Sequence, residues 1–221
     1  PAGSKTTYKA TDVWKEFAHM TEFDGLCGNN LNWSFDEASA TLSIIGNGAM
    51  YDYSLSSSKA APWYDIRESI KAVKFLGSPT TIGMFAFMDC RVLESIEIPA
   101  SVTSIGRNAL SGCSSLASIE IPAGVTSINK YAFDGCTALS SVNIHEGVTS
   151  IGAGAFGNCG NLTSITVDEN NSVYYSENNC IIEKESKKLV VGCNAGVIPE
   201  DVTSIGDSAF YGCSSLTSVS I

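Results

Sequence analysis

Apolar residues recur at a fixed interval of 23 positions along the second half of the chain, and the register is easiest to see from the cysteines Cys90, Cys113, Cys136 and Cys159. Eight residues before each stands an isoleucine (Ile82, Ile105, Ile128, Ile151), and four before stands an alanine (Ala86, Ala109, Ala132, Ala155). Three before comes Phe87, Leu110, Phe133 or Phe156. After each cysteine follow Leu93, Leu116, Leu139 and Leu162, then Ile96, Ile119, Val142 and Ile165, then Ile98, Ile121, Ile144 and Val167. A fifth unit resumes at Val202 with Ile205, Ala209, Phe210, Cys213, Leu216, Val219 and Ile221, after 31 extra residues.

Within a unit, a segment such as "LASIEI" alternates apolar and polar residues with the two-residue period of a half-buried strand. The "VTSIG" segment predicts a second short β piece, and the Gly, Asn and Ser around each cysteine predict a turn or a short 3₁₀ stretch. No unit contains a long helical pattern. A coil of this length cannot bury its apolar face alone, so it must stack on its neighbours, which makes the array a solenoid. Identical offsets then superpose identical side chains into ladders, with successive strands about 4.8 Å apart.

Units such as "AFDGCTALSSVNI" and "ALSGCSSLASIEIPAGVTSI" resemble the 23-residue leucine-rich repeats of the BspA type, found in bacterial and some protist surface proteins. The resemblance covers residues 79–221, with units beginning at 79, 102, 125, 148 and 202. It implies a mostly β, curved, right-handed leucine-rich-repeat solenoid with a parallel β-sheet on the concave face. It also implies display at the cell surface or secretion, and attachment to host or extracellular-matrix proteins.

The interruption over 171–201 is too long for a plain loop in a compact array. "CIIEKESKKLVV" reads as strand, polar turn, strand: a hairpin with its tip near Glu185 and Ser186, and "VIPEDV" restores the phase of "EIPASV". The expectation is a degenerate coil carrying a projecting hairpin, read first as a spacer that merely preserves stacking; the alternative is a contact site, with Lys184, Glu185, Lys187 and Lys188 held out from the solenoid wall. Residues 25–78 read as an amino-terminal cap. There "LNWSFDEASATLSII" predicts a hairpin, "APWYDIRESI" a short helix entered through Pro62, and "KAVKF" a strand leading into the first coil. Trp33 and Trp63 are expected in the core of this cap, with a sugar-binding platform as the alternative.

Residues 1–24 resemble a helical tail that closes a repeat block, and the opening "PAG" matches the tripeptide that comes after "IEI" in an internal unit. This raises the expectation of a longer protein built of similar blocks. It also raises that of head-to-tail self-association, in which the tail of one chain covers the Ile221 end of another.

An even count of 8 cysteines in a surface protein would normally suggest disulfides. Stacking argues otherwise for Cys90, Cys113, Cys136, Cys159 and Cys213: equivalent Cβ atoms about 4.8 Å apart exceed the spacing a disulfide needs, so they are expected to pack and hydrogen-bond as a structural ladder. Only Cys180 and Cys193 are candidates for a bridge. A cysteine every 23 residues does not converge four metal ligands, and no cofactor motif is present. His19 and His145 lack a nucleophile and an acidic partner, and "DEN" at 168–170 reads as a solvated turn rather than a calcium site, so the expectation is no catalysis.

Composition narrows the partners. With 13 basic against 23 acidic residues the formal charge is -10, which disfavours nucleic acid; no apolar run approaches the roughly 20 residues of a membrane span. By alternation the outward row of the stacked strands is Ser95 and Glu97, Ser118 and Glu120, Ser141 and Asn143, Ser164 and Thr166, and Ser218 and Ser220. This row is the candidate concave binding face. It is small and polar with few aromatic or Arg anchors, which points to weak or multivalent attachment. The function expected is a non-enzymatic adhesin-like module; a structural spacer or stalk, or a carbohydrate-binding module using Trp33, Trp63 and Tyr174–Tyr175, are the alternatives.

Overall fold

The computed structural model describes residues 24–56, 59–192, 197–214 and 216. Residues 1–23 of the expected tail, Cys193 and the outward residues Ser218 and Ser220 lie outside the described residues.

The cap begins with three antiparallel strands, β1 (Gly25–Gly28), β2 (Leu31–Asp36) and β3 (Thr41–Ala49). Asp36 closes the turn between the last two: its carboxylate accepts from the Ala38 amide and the Ser39 hydroxyl at 3.0 and 2.6 Å. A crossover containing a 3₁₀ helix (Tyr64–Ser69) leads to β4 (Ala72–Ile82), which runs parallel to β3. Trp63 fills this crossover at 1% exposure. Its ring stacks on Phe87 and lies edge-on to Trp33 and Tyr53, and its Nε1 donates to the Ala86 carbonyl at 2.7 Å. The tryptophan therefore welds the cap to the first coil. It is not available to a sugar.

β4 ends in the first repeat, and from there the "TSI" positions form a continuous parallel ladder: β4, β6 (Ser104–Ile105), β7 (Ser127–Ile128) and β9 (Ser150–Ile151). Thr81, Ser104, Ser127 and Ser150 are in register, as are Ile82, Ile105, Ile128 and Ile151. The threonine preceding each pair doubles the link. Thr103, Thr126 and Thr149 each donate both the backbone amide and the hydroxyl to the carbonyl of the equivalent threonine one coil earlier.

The "LxSIxI" segments, the first of which pairs with the amino-terminal end of β4, pair less than their alternation predicts. β5 (Ser95–Ile96) pairs with β4, and β8 (Ser141–Ile144) pairs with β10 (Ser164–Val167), but Leu116–Ile121 forms no strand. Its apolar residues still point inward, with Ile119 at 9% and Ile121 at 1% exposure. This segment pairs with neither neighbour. Towards β5 the outward positions are Glu97 and Glu120, equivalent residues one coil apart, and like charges opposite each other destabilise a sheet. Where pairing succeeds the row carries Asn143 and Thr166, whose hydroxyl donates to Asn143 Oδ1 at 2.9 Å.

The interruption departs from expectation. Its hairpin strands, β12 (Cys180–Glu183) and β13 (Lys188–Val191), do not project from the wall. They are joined by β11 (Tyr174–Glu177) in an antiparallel meander, and β13 pairs in parallel with β14 (Ser204–Ile205) of the fifth unit. Cys180, Ile181, Ile182 and Leu189 are fully buried, while the turn over 184–186 and Lys188 face solvent. Three consecutive apolar residues in β12 require cover on both faces, which a projecting hairpin would not give. The β11–β12 turn is Asn178-Asn179, both with positive φ (50° and 60°), the conformation a two-residue hairpin with right-handed twist demands.

Candidate binding surface

Every described member of the expected row is exposed: Ser95, Glu97, Ser118, Glu120, Ser141, Asn143, Ser164 and Thr166. Alternation causes this, since the residues between them fill the core. Five of the eight converge. Glu120, Ser141, Asn143, Ser164 and Thr166 line an open depression of about 330 Å³, together with Ile119, Ile121, Val142 and His145. The floor is apolar backbone and side chain, and the rim offers hydroxyls, one amide and one carboxylate. Such a rim can donate and accept hydrogen bonds; it contains no nucleophile paired with a base.

His145, Ile119, Ile121 and Val142 are the members that outward alternation did not single out. The signal for His145 was its replacement of the proline found in other units. Its carbonyl accepts from the Val148 amide at 3.2 Å, just as Pro99 and Pro122 accept from Val102 and Val125, so the turn survives without proline. His145 itself borders the depression.

The basic residues of the interruption are largely engaged within the chain. Lys184 donates to the Asn171 carbonyl. Lys187 pairs with Asp201 at 3.0 Å and lies 4.7 Å from the centre of the Tyr175 ring, whose hydroxyl donates to the same carboxylate at 2.8 Å. The Lys187 and Tyr175 hydrogen bonds hold the Asp201 carboxyl below its usual range. Glu185 and Lys188 are exposed, but the four residues do not present a common positive patch. Tyr174, a candidate for sugar contact, is buried, with its hydroxyl accepting from the Ile151 amide at 3.1 Å.

The cysteine column forms a ladder of thiols. The Sγ atoms of Cys113, Cys136 and Cys159 donate to the Phe87, Leu110 and Phe133 carbonyls of the preceding coil at 3.2, 3.3 and 3.2 Å. Cys213, after the interruption, sits 3.8 Å from the Gly192 carbonyl instead. Burial pushes Cys90 and Cys159 up to about 12, and Cys113 and Cys136 well above the ordinary thiol range. These sulfurs stay protonated, so they act as packing and donor groups rather than as nucleophiles or ligands. Among the described residues, no group of three His, Cys, Asp or Glu could hold a metal ion, and no helix is long and apolar enough to cross a membrane.

Residues 63–186 and 191–221 match a family model described as BspA type leucine rich repeat region, in six copies. Among solved structures, the chain is similar to a leucine-rich repeat protein from Eubacterium ventriosum, with 25% identity and a TM-score of 0.65 over 84% of this chain and 62% of that one. A leucine-rich repeat protein from Bacteroides ovatus matches with 23% identity and a TM-score of 0.54 over 90% of this chain and 53% of that one. The pneumococcal vaccine antigen PcpA matches with 15% identity and a TM-score of 0.58, over 89% of this chain and 69% of that one. The chain thus spans less than two thirds of the length of the first two. No curated protein matches the sequence significantly.

Proposed function

Because the chain belongs to the BspA-type leucine-rich repeat family, we propose that it is a non-enzymatic, cell-surface protein-binding module that attaches to host or matrix proteins. One observation supports this reading: the outward row is exposed from Ser95 to Thr166, and its carboxyl-terminal half gathers around the polar depression beside His145. Hydroxyls, an amide and a carboxylate set side by side on stacked coils suit the backbone and polar side chains of another protein. The surplus of acidic residues disfavours nucleic acid. Affinity per unit is low, because the row lacks the buried aromatic and Arg anchors that dominate interface energetics, and useful attachment comes from many units acting together.

The test is binding of the chain at high micromolar concentration to a panel of matrix and host-cell proteins and glycans, with a tandem copy in parallel. Saturable protein binding that tightens in the tandem form and weakens in Glu97→Lys/Glu120→Lys supports the adhesin. Silence from both forms overturns it in favour of a structural spacer, the reading that the bland row would otherwise favour.

A further inference from the structure

On the turn side of the solenoid the interruption vanishes. Although 31 extra residues separate the fourth and fifth units, the fifth stacks directly on the fourth there, with the Asn158 amide donating to the Tyr211 carbonyl at 3.0 Å. That contact brings Tyr211 to Tyr131 of the third unit across the fourth: the ring centroids lie 6.2 Å apart at 74°. The fourth unit makes room because it carries glycine at both intervening positions. A Cβ on Gly154 would lie 2.5 Å from Tyr131 Cε1, and one on Gly157 would lie 2.6 Å from Tyr211 Cδ1 and 3.0 Å from Asp134 Oδ1. Two rings and one carboxylate therefore meet over a bare strip of backbone.

Tyr131 shares its left-handed backbone (φ 58°) with its whole column, Phe85, Asn108, Gly154 and Ser208, so that conformation belongs to the repeat. Two features of this corner are unexplained by stacking. Tyr211 is 49% exposed despite its size. Asp134 accepts from Asn158 Nδ2 through Oδ1 at 2.9 Å, while its Oδ2 has no hydrogen-bond or ion-pair partner among the described residues. Partial burial raises its affinity for a proton, so a cation brought alongside would find a poorly solvated carboxylate.

We propose that Tyr131, Tyr211 and Asp134 form a recognition corner for a cationic side chain, arginine or lysine, presented by a protein partner. The ring faces attract a cation through their quadrupoles, and the open carboxylate oxygen supplies the paired charge. The net charge of -10 favours approach of a basic partner. This deepens the protein-binding reading, on which it rests, by supplying the aromatic anchor that the outward row lacks.

The test follows the tyrosine ring resonances of the whole chain by NMR during titration with the tripeptide Gly-Arg-Gly, its citrulline counterpart and methyl glucoside. Expected are saturable shifts of Tyr131 and Tyr211 with the arginine peptide, with binding about five-fold weaker for citrulline and for Asp134→Asn, which keeps the Asn158 partner. Tyr211→Leu provides a second variant if Asp134→Asn melts early, and it should likewise weaken binding as read at the Tyr131 ring. Equal response to citrulline, no effect of either variant, or shifts with the glucoside alone would overturn the proposal. If a host protein binds wild type, loses binding to Glu97→Lys/Glu120→Lys and ignores Asp134→Asn, the corner fails while the adhesin reading stands.

Discussion

Neutralising either Glu97 or Glu120 should stabilise the protein and close the gap in the outward sheet. The two carboxylates occupy equivalent positions one coil apart, about 5 Å, and neither has an ion-pair partner among the described residues. At that distance in water two like charges repel by about 0.8 kcal/mol, within the range of about 0.2–1 kcal/mol measured for exposed charge pairs. For a chain of this length such a gain raises Tm by about 1–3 °C. Since either substitution alone removes the repulsion, Glu97→Gln and Glu120→Gln should each give the full gain, and the double variant should add little more. Thermal melts at about 10 mM and 1 M salt provide the assay, because screening at the higher salt shortens the Debye length to about 3 Å and should erase the difference. Hydrogen exchange supplies the structural readout, with the Ile119 and Ile121 amides gaining protection as pairing extends to them. Additive gains, or gains that persist at high salt, would show that charge repulsion is not what holds Leu116–Ile121 out of the sheet.

Phe133→Ala, which empties a fully buried site stacked on Phe156 at a centroid distance of 5.3 Å, should cost about 3–5 kcal/mol, read as a fall in urea midpoint at constant m-value. Tyr174→Phe removes the acceptor of the Ile151 amide and should cost about 1–3 kcal/mol; an unchanged melt would mean that amide finds another partner. Asp201, held below the ordinary carboxylate range chiefly by Lys187, contributes stability that is complete above the unfolded carboxylate pKa and lost as pH falls through the lowered one. The Tm difference between wild type and Asp201→Asn should accordingly be present at neutral pH and absent at strongly acid pH. Peptide mapping after alkylation at pH 8 should leave Cys90, Cys113, Cys136 and Cys159 unlabelled until denaturant is added, since burial pushes Cys90 and Cys159 up to about 12 and holds Cys113 and Cys136 well above the ordinary thiol range.

The burial pattern was legible because it is written in one variable, the offset from cysteine. Ile105, Phe133, Leu139 and Val148 are each inaccessible to solvent, and a solenoid has no other place for them. Hydrogen bonding was less legible, because hydrophobic period cannot say which flank pairs. The continuous ladder formed on the "TSI" flank through threonine hydroxyls whose second bond to the preceding carbonyl leaves no trace in apolar spacing. The exposed row followed from alternation, whereas its convergence near His145 depends on the local packing of three coils. The Tyr131–Tyr211 corner was hidden for a different reason: its members lie 80 positions apart and meet only because the interruption leaves the turn side in phase.

How the interruption keeps phase explains why it is tolerated. An inserted segment must satisfy the strands it separates, or buried amides are left orphaned. Side chains provide the missing partners, with the Tyr174 hydroxyl accepting from the Ile151 amide and Ser176 Oγ from that of Val167 at 3.0 Å. Asn171, fully buried, gives both amide hydrogens to the carbonyls of His145 and Val148 and accepts from the Val173 and Tyr174 amides, so its polar side-chain atoms are all used. On the far side β13 offers β14 the parallel edge that β9 would otherwise have offered, and Leu189 stands where Ile151 would have stood. The meander therefore replaces one strand of the ladder on one flank while leaving the turns of the fourth and fifth units in direct contact on the other. The 184–187 turn belongs to the rebuilt flank, its Ser186 and Lys187 carbonyls accepting from the Thr203 hydroxyl and amide at 2.8 and 3.0 Å, so a change in its length disturbs the link to β14, whereas an insertion between Gly206 and Cys213 would shift Tyr211 away from the glycines that admit it.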